Sequence, residues 1–380
     1  CGTAAVRGFP GTCDYDGCHG YVILWHLVVR SLSKPSMTQP HGPPDSHSDG
    51  SSKAILIFTS PKAGSGAGRD RVGLLAQWLS EQQFDVNVTA SLDELRHRTD
   101  PHTSPELPRW VVAAGGDGTL ALVAQNTPPA TTLVPMPLGT ENLVAKHYRI
   151  SSDLQSMKNV ILHGQEMKID AGLANGRLFL VMASCGFDAE VVRAMHLTRR
   201  GHINRFSYTW PILRTLRSYR FPPIHVEYFA ASEPVLPQAD TVAESVASAP
   251  EAVQEPLTCR WALVFNMPRY AAELAVEPDA CEDDGVLDLC SLQYGSIASG
   301  TRYLGGIITG RHIRWKDVVR RPITRCRITS PARVAFQIDG DYAGRLPLEI
   351  GVLPGRIRLR VAPGTTPSPL PPLPWNFGNR

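Results

Sequence analysis

Trp110-Val111-Val112-Ala113-Ala114-Gly115-Gly116-Asp117-Gly118-Thr119 is the stretch on which the fold turns. Apolar residues without alternation run straight into glycines, an acid and a threonine. A short continuous apolar run is consistent with a strand buried on both faces, as in a parallel sheet. Glycines at its end permit positive φ and close backbone approach, and a helix opening there adds a positive N-terminal end. The order strand, glycine turn, helix therefore predicts a phosphate loop over Gly115, Gly116, Asp117, Gly118 and Thr119. Asp117 is placed to engage magnesium or a ribose hydroxyl, and Thr119 to donate to a phosphate. A tight strand-to-helix turn is the plainer reading of the same residues.

Working outward, apolar runs at 54–59, 84–89 and 132–136 predict further strands, and periodic stretches at 71–83, 92–98, 119–125 and 141–147 predict helices. Alternating strands and helices at this spacing mean βαβ units, with ligands beyond the carboxyl ends of the strands. Two more polar turns fall at such ends. Ser60-Pro61-Lys62-Ala63-Gly64 follows the first run. It lacks the Lys-Ser/Thr of a Walker A loop, and Arg69 stands where GxGxxG needs its third glycine. Pro137-Leu138-Gly139-Thr140-Glu141-Asn142 follows the fourth, with Thr140 and Asn142 as polar side chains and Gly139 for backbone approach.

Past residue 165 the pattern changes to short strands between turn residues, at 167–173, 177–184, 224–230, 259–267, 286–292, 325–329, 334–338 and 356–361. Helical patterns interrupt them at 190–197, 206–220 and 296–310. This predicts a second, mainly antiparallel β domain. The expected organisation is an N-terminal extension at 1–52, an α/β domain at 53–164, a β domain at 165–362 and a Pro-rich tail at 363–380. Residues 231–257 hold five acids, four prolines and no Lys or Arg, which predicts a disordered insertion in a hairpin loop. Without those five acids, the net charge of +3 becomes about +8 for the rest.

The chain has 380 residues, 43% hydrophobic and 19% charged, enough for two ordinary globular cores. A net charge of +3 argues against nucleic acid as partner. Eight cysteines without a CxxC pair form neither a disulfide framework nor a zinc signature, and read as free thiols of a reducing cytosol. The apolar run at 21–29 is too short to span a bilayer. The chain begins with Cys1, and Met37 precedes a polar segment, so residues 1–36 are expected to be a mis-assigned start.

The ordered set GGDGT at 115–119 and GTEN at 139–142 resembles the diacylglycerol kinase catalytic domain family, which includes bacterial lipid kinases and sphingosine kinases. Three later stretches strengthen the resemblance: Lys168-Ile169-Asp170-Ala171-Gly172 with 183–189, 266–270 with 278–288, and Gln337-Ile338-Asp339-Gly340-Asp341 with Leu346-Pro347. The match runs from about 53 to 362, apart from the insertion. The resemblance implies an α/β N-terminal domain with a parallel sheet, similar to NAD kinases and phosphofructokinases, and a β-sandwich second domain. It implies ATP in the cleft and Mg²⁺ as cofactor. By position it makes Ser60, Pro61, Lys62, Ala63 and Gly64 the first phosphate loop and residues 115–119 the second. Thr89, Thr140 and Asn142 become further nucleotide contacts. Asp341 falls on the general base, where the family mostly has Glu, with Asp339 supporting the metal or base network. A structural magnesium site falls on Asp284 with the backbone carbonyls of Cys281 and Val286. Two more departures are Ser60 for the usual Asn and Leu143 where an Asp is common.

The implied activity is phosphate transfer from ATP to a lipid hydroxyl, diacylglycerol or a related lipid, in a cytoplasmic protein peripheral to the membrane. An NAD kinase-like phosphotransferase and a non-catalytic nucleotide- or lipid-binding paralogue are the alternatives. Two basic stretches interleaved with aromatics are expected to meet anionic headgroups. The first comprises Arg199, Arg200, His202, Arg205, Arg214, Arg217 and Arg220 with Tyr208, Trp210 and Phe221. The second comprises Arg311, His312, Arg314, Trp315 and Lys316.

Overall fold

The four apolar runs of the first half form parallel strands: β1 (Ala54–Thr59), β2 (Asp85–Thr89), β3 (Trp110–Gly115) and β4 (Thr132–Pro137). In this computed structural model, residues 52–60, 66–198, 209–230, 255–270 and 274–367 are described. The chain divides into Cys1–Asp49 and Gly50–Arg380. The first unit, with the expectation for residues 1–36, lies outside the described residues, as do most of the 231–257 insertion and the tail beyond 367.

β1 sits between β2 and β3, and β4 continues beyond β3, with Ile57 opposite both Val88 and Val112 and Val112 opposite Val134. Successive side chains point to opposite faces. Leu56, Phe58, Val111, Ala113 and Leu133 face α2 (Leu92–Thr99), α3 (Asp117–Gln125) and α4 (Leu143–His147). Ile55, Ile57, Val112 and Val134 face α1 (Gly66–Glu81) and α5 (Leu154–His163). The sequence reading missed α5, although Asp153 caps it by accepting from Ser156 N (2.8 Å) and Met157, Val160 and Ile161 bury one face.

The second half begins with β5 (Gln165–Ala174), β6 (Arg177–Phe179) and β7 (Met182–Cys185), followed by α6 (Phe187–Thr198) and α7 (Thr209–Ser218). β8 (Ile224–Ala230), β9 (Leu257–Cys259), β10 (Trp261–Phe265) and β11 (Leu287–Leu292) lead to α8 (Ile297–Thr309). β12 (Val318–Thr329), β13 (Ala335–Ile338), β14 (Asp341–Arg345) and β15 (Leu348–Val361) complete it. These strands pair antiparallel in the order β14-β13-β7-β10-β11-β12-β15, with β5–β6 and β8–β9 at the side. They form the β-sandwich expected for this half. Cys185, Cys259, Cys290 and Cys326 are buried free thiols in its core, where burial pushes all four pKa values up.

β15 joins the two halves. Its first part pairs with β12, and its last part runs parallel to β4, with Arg358 opposite Thr132 and Leu359 opposite Leu133. A register shift between Leu353 and Ile357 against β5 lets it turn. In that bend Arg356 is buried and donates to Ala124 O (2.6 Å) and Thr127 O (2.9 Å), satisfying carbonyls at the C-terminal end of α3.

The expected strand at 177–184 is two strands. Leu180, Val181 and Met182 each donate a backbone N–H to the carboxylate of Asp339, at 2.9, 2.9 and 3.0 Å. An acid 157 to 159 residues further on thus replaces a ladder partner at the break. Asp339 keeps some surface exposure as a residue, but its carboxylate is enclosed, and that desolvation pushes its pKa up to about 6, with the charge of Asp117 adding to the rise. The folded protein therefore binds this proton more tightly than the unfolded chain does, where the value lies near 3.9. The associated stability is fully present below about pH 4 and lost as pH rises through about 6. Asp339→Asn is expected to lower stability at every pH, because its amide NH₂ faces backbone donors. It should also abolish the wild-type loss of stability across that interval. Urea melts over pH 4 to 7 on both proteins check this, and identical pH slopes would refute it.

Candidate active site

The ends of β1, β3 and β4 lie side by side, so the turns after β3 and β4 share one edge of the sheet. The turns after β3 and β4 interlock through their glycines. A Cβ placed on Gly139 would stand 2.6 Å from Gly116 Cα, closer than any side chain tolerates. Leu138 N donates to Gly115 O (2.9 Å). Asn142 adopts the left-handed region (φ 49°), and its side chain closes a ring on Gly139, accepting from Gly139 N (3.0 Å) and donating to Gly139 O (2.8 Å). Asn142 thus shapes the turn, while Thr140 is exposed at its tip.

Asp117 opens α3. Its carboxylate accepts from Leu143 N (2.8 Å) and Val144 N (3.0 Å), the first amides of α4. Burial pushes its pKa up, and these two bonds oppose the shift. Each oxygen keeps lone-pair capacity after one bond. The side chain of Leu143 packs against the core, so the family's usual acid has no counterpart there. Thr119 is nearly buried, its side chain covering Gly115, where a Cβ would meet Thr119 Oγ1 at 2.2 Å. Gly118 is exposed.

Above Gly118 stands Asp341 of the second half. A Cβ built on Gly118 would lie 3.8 Å from Asp341 Oδ2. The acid is exposed and has Arg177 at 4.0 Å. Asp339, at the neighbouring turn, is committed to backbone amides, so it holds this corner together and does not project into the cleft. Gln337 supports the same turn: its Oε1 accepts from Gly340 N (2.8 Å) and its Nε2 donates to Ser184 Oγ (2.8 Å). Ser184 in turn donates to buried Asp188 (2.6 Å). Gln337 had no predicted role; a polar residue inside an apolar strand was the signal for it.

The loop at 281–286 is anchored from below. Asp170 accepts from Gly285 N and Gly355 N, both at 2.6 Å. Glu282 reaches back to the first half, accepting from Tyr148 OH (2.6 Å) and bonding His147 Nε2 (2.9 Å). Burial alone would raise the Glu282 pKa, but these partners hold it below the usual range. Asp284 is pushed up by partial burial and by the charges of Asp283 and Glu282, and its Oδ1 accepts from Val286 N (3.1 Å). A divalent cation would relieve that crowding. A carboxylate with two carbonyls is an all-oxygen set suited to magnesium. The Cys281 thiol donates to Asp283 (3.0 Å) and its pKa is pushed up to about 12, so Cys281 fits such a set through its carbonyl and not its sulfur. Among the described residues no group of three His, Cys, Asp or Glu side chains forms a metal site on its own.

Of the remaining predicted residues, Ser60 follows β1, and Pro61, Lys62, Ala63 and Gly64 lie outside the described residues. Thr89 is buried at the end of β2, its hydroxyl accepting from Ser91 N (3.0 Å). The basic stretches need correction. His312 is fully buried, its ring bonded to Gly306 O (3.1 Å) and Val276 O (2.8 Å). Phe221 is core, stacked with Phe187 and Trp261, and Trp315 lies under Arg302. Both aromatics were read as interfacial because apolar rings between arginines look alike in sequence whether they face out or in. Arg199, Arg200, His202, Arg205 and Tyr208 lie outside the described residues, as does the side chain of Trp210. No helix among the described residues is long and apolar enough to cross a membrane.

Known proteins share this arrangement. The diacylglycerol kinase catalytic domain matches residues 54–174, and the YegS C-terminal NAD kinase beta sandwich-like domain matches residues 181–361. The chain is 24% identical over 243 residues to a diacylglycerol kinase of Bacillus subtilis (strain 168), covering 63% of this chain and 73% of that protein. It is 26% identical over 245 residues to one of Staphylococcus carnosus (strain TM300), covering 62% and 71%. The fold is similar to that of a diacylglycerol kinase crystal structure from Bacillus anthracis str. Sterne, with TM-score 0.52 at 14% identity, covering 84% of this chain and all of that one. With glycine turns at the strand ends of an α/β half, and an acid-bearing β-sandwich closing over them, the chain belongs to the diacylglycerol kinase catalytic domain family of kinase-type phosphotransferases.

Proposed function

We propose that this protein transfers the γ-phosphate of ATP to a hydroxyl of a lipid, with diacylglycerol the first candidate acceptor. The observation that supports this best is Asp341 of the β-sandwich standing over Gly118 at the start of α3. The phosphates would lie along Gly116 and Gly118, at the start of a nine-residue helix whose first two amides, those of Asp117 and Gly118, have no helical carbonyl to meet. Gly139 packs under that turn, and Asp117 fixes α4 beside it.

Asp341 would take the proton from the lipid hydroxyl as its oxygen attacks the γ-phosphorus in line. The bond from oxygen to phosphorus forms, the β–γ bridging bond breaks, and ADP leaves with the displaced electron pair. Magnesium bound with ATP would neutralise phosphate charge, held by Asp117, with a structural ion at Asp284 and the Cys281 and Val286 carbonyls. Positioning and charge neutralisation supply most of the rate in such transfers.

Asp341→Asn is expected to lower kcat at least ~10²-fold with little change in KM for ATP. Asp341→Glu should keep activity within about tenfold, since the longer acid can still reach a hydroxyl. Radiolabelled ATP with a panel of diacylglycerol, a sphingoid base and NAD reads both. Transfer to NAD alone, or an Asn variant near wild-type rate, would sink the proposal. Gly139→Ala drives the two turns apart and should raise KM for ATP about tenfold while costing about 1–3 kcal/mol of stability. Steady-state kinetics with a thermal melt check it, and an unchanged KM would remove the interlocked turns from the phosphate site.

A further inference from the structure

Two hairpin tips meet at the catalytic corner. Asn175-Gly176 joins β5 to β6 and Asp339-Gly340 joins β13 to β14, and all four residues hold positive φ (46°, 78°, 47° and 83°). Positive φ at both central residues belongs to the tight two-residue hairpin turn for which Asn-Gly and Asp-Gly are the preferred pairs. Such a turn fixes where the next residue starts. After the first turn that residue is Arg177, opposite Ala174; after the second it is Asp341, opposite Ile338. Arg177 Nη2 stands 4.0 Å from Asp341 Oδ2, the same oxygen that lies 3.8 Å from a Cβ built on Gly118. One carboxylate oxygen thus neighbours both the guanidinium and the start of α3.

The tip that carries Arg177 is held from two sides. Gln125, the last residue of α3, donates to Gly176 O (3.0 Å) and accepts from Leu178 N (3.2 Å), so it brackets Arg177. From the other flank, Asn175 N donates to Glu349 O (2.9 Å), Asn175 Nδ2 donates to Pro347 O (3.1 Å), and Asn175 Oδ1 accepts from Glu349 N (2.8 Å). The helix that opens at Asp117 therefore sets, with its other end, the backbone from which Arg177 reaches out. The pair it makes does not explain this anchoring. With side chains 47% and 56% exposed, an ion pair such as Arg177–Asp341 adds little to stability. At 4.0 Å it is also too long for a hydrogen bond, so the guanidinium keeps N–H donors for another acceptor. A planar, permanently charged fork matches phosphoryl oxygens, and a cation supplied there counts most as charge spreads over them during transfer.

We infer that Arg177 is a further catalytic residue: its guanidinium leaves Asp341 when ATP enters, closes on the oxygens of the γ-phosphoryl group, and frees Asp341 Oδ2 for the acceptor hydroxyl. The inference deepens the phosphate transfer proposed above and rests on it. The full chain and its Arg177→Ala and Arg177→Lys variants are titrated calorimetrically, with magnesium present, with ADP and with AMP-PNP, whose bridging nitrogen blocks transfer. Arg177→Ala should bind ADP within about twofold of wild type and AMP-PNP at least about tenfold more weakly, because only the second ligand carries a γ-phosphate. Its kcat on diacylglycerol should fall at least ~10²-fold, with added guanidinium chloride restoring part of the loss, and Arg177→Lys should lie between the two. Thermal melts of the three proteins should agree, since the pair is exposed. Equal AMP-PNP affinity in wild type and Arg177→Ala overturns the inference. So does an equal loss of ADP and AMP-PNP, which would make Arg177 a support of the whole site. A wild type that binds neither nucleotide overturns it together with the ATP reading. A wild type that turns over no lipid, while Arg177→Ala selectively loses AMP-PNP, sustains the inference and counts against the lipid acceptor alone.

Discussion

The structure depends on two turns being able to touch. The backbones of Gly116 and Gly139 meet with no room for a Cβ on Gly139 and little for one on Gly116, and Asp117 ties the start of α3 to the start of α4. Interlocked in this way, the turns after β3 and β4 act as one rigid floor. Any side chain at Gly139 would separate them, and the amide-lined edge that could meet phosphates would open. The remainder of the first half, two faces of helices over a parallel sheet, holds β3 and β4 in the register that brings these glycines together.

The second half brings an acid to that floor. β15 does this mechanically: it leaves the sandwich, bends at Arg356 and continues as a neighbour of β4. Buried polar groups then fix the corner. Asp339 collects three amides, Gln337 holds the next turn, and Glu282 reaches across to His147 and Tyr148. These groups are costly to bury and each is satisfied by named partners, so removing one partner strands the other. That is why acids which a motif reading assigns to metal or catalysis divide into two kinds here. Asp339 and Asp170 are spent on backbone amides, whereas Asp341 and Asp284 still offer oxygens outward.

Local rules were enough for much of the fold. β1 occupies its predicted span, and α8 is only two residues shorter than its predicted pattern, because unbroken apolar runs and a Ser cap are read from neighbours in the chain. The glycine turns after β3 and β4 were legible for the same reason: glycines, an acid and a threonine at a strand end are a local signature. The break at Leu180 was not legible, since its cause is a carboxylate at position 339. Nor was the burial of His312, whose partners are carbonyls of Gly306 and Val276. The parallel pairing of β15 with β4 needs residues more than 200 positions apart.

By itself, the sequence determined the fold class of each half, the family, and the glycine turns after β3 and β4. Periodicity and glycine chemistry act over a few residues, so they survive without coordinates. Only the tertiary structure decided which acids are exposed and which are committed to backbone amides, and that Asp341 stands over Gly118. Those outcomes are set by partners distant in the chain and by burial. Both come into being only when the sandwich closes on the parallel sheet.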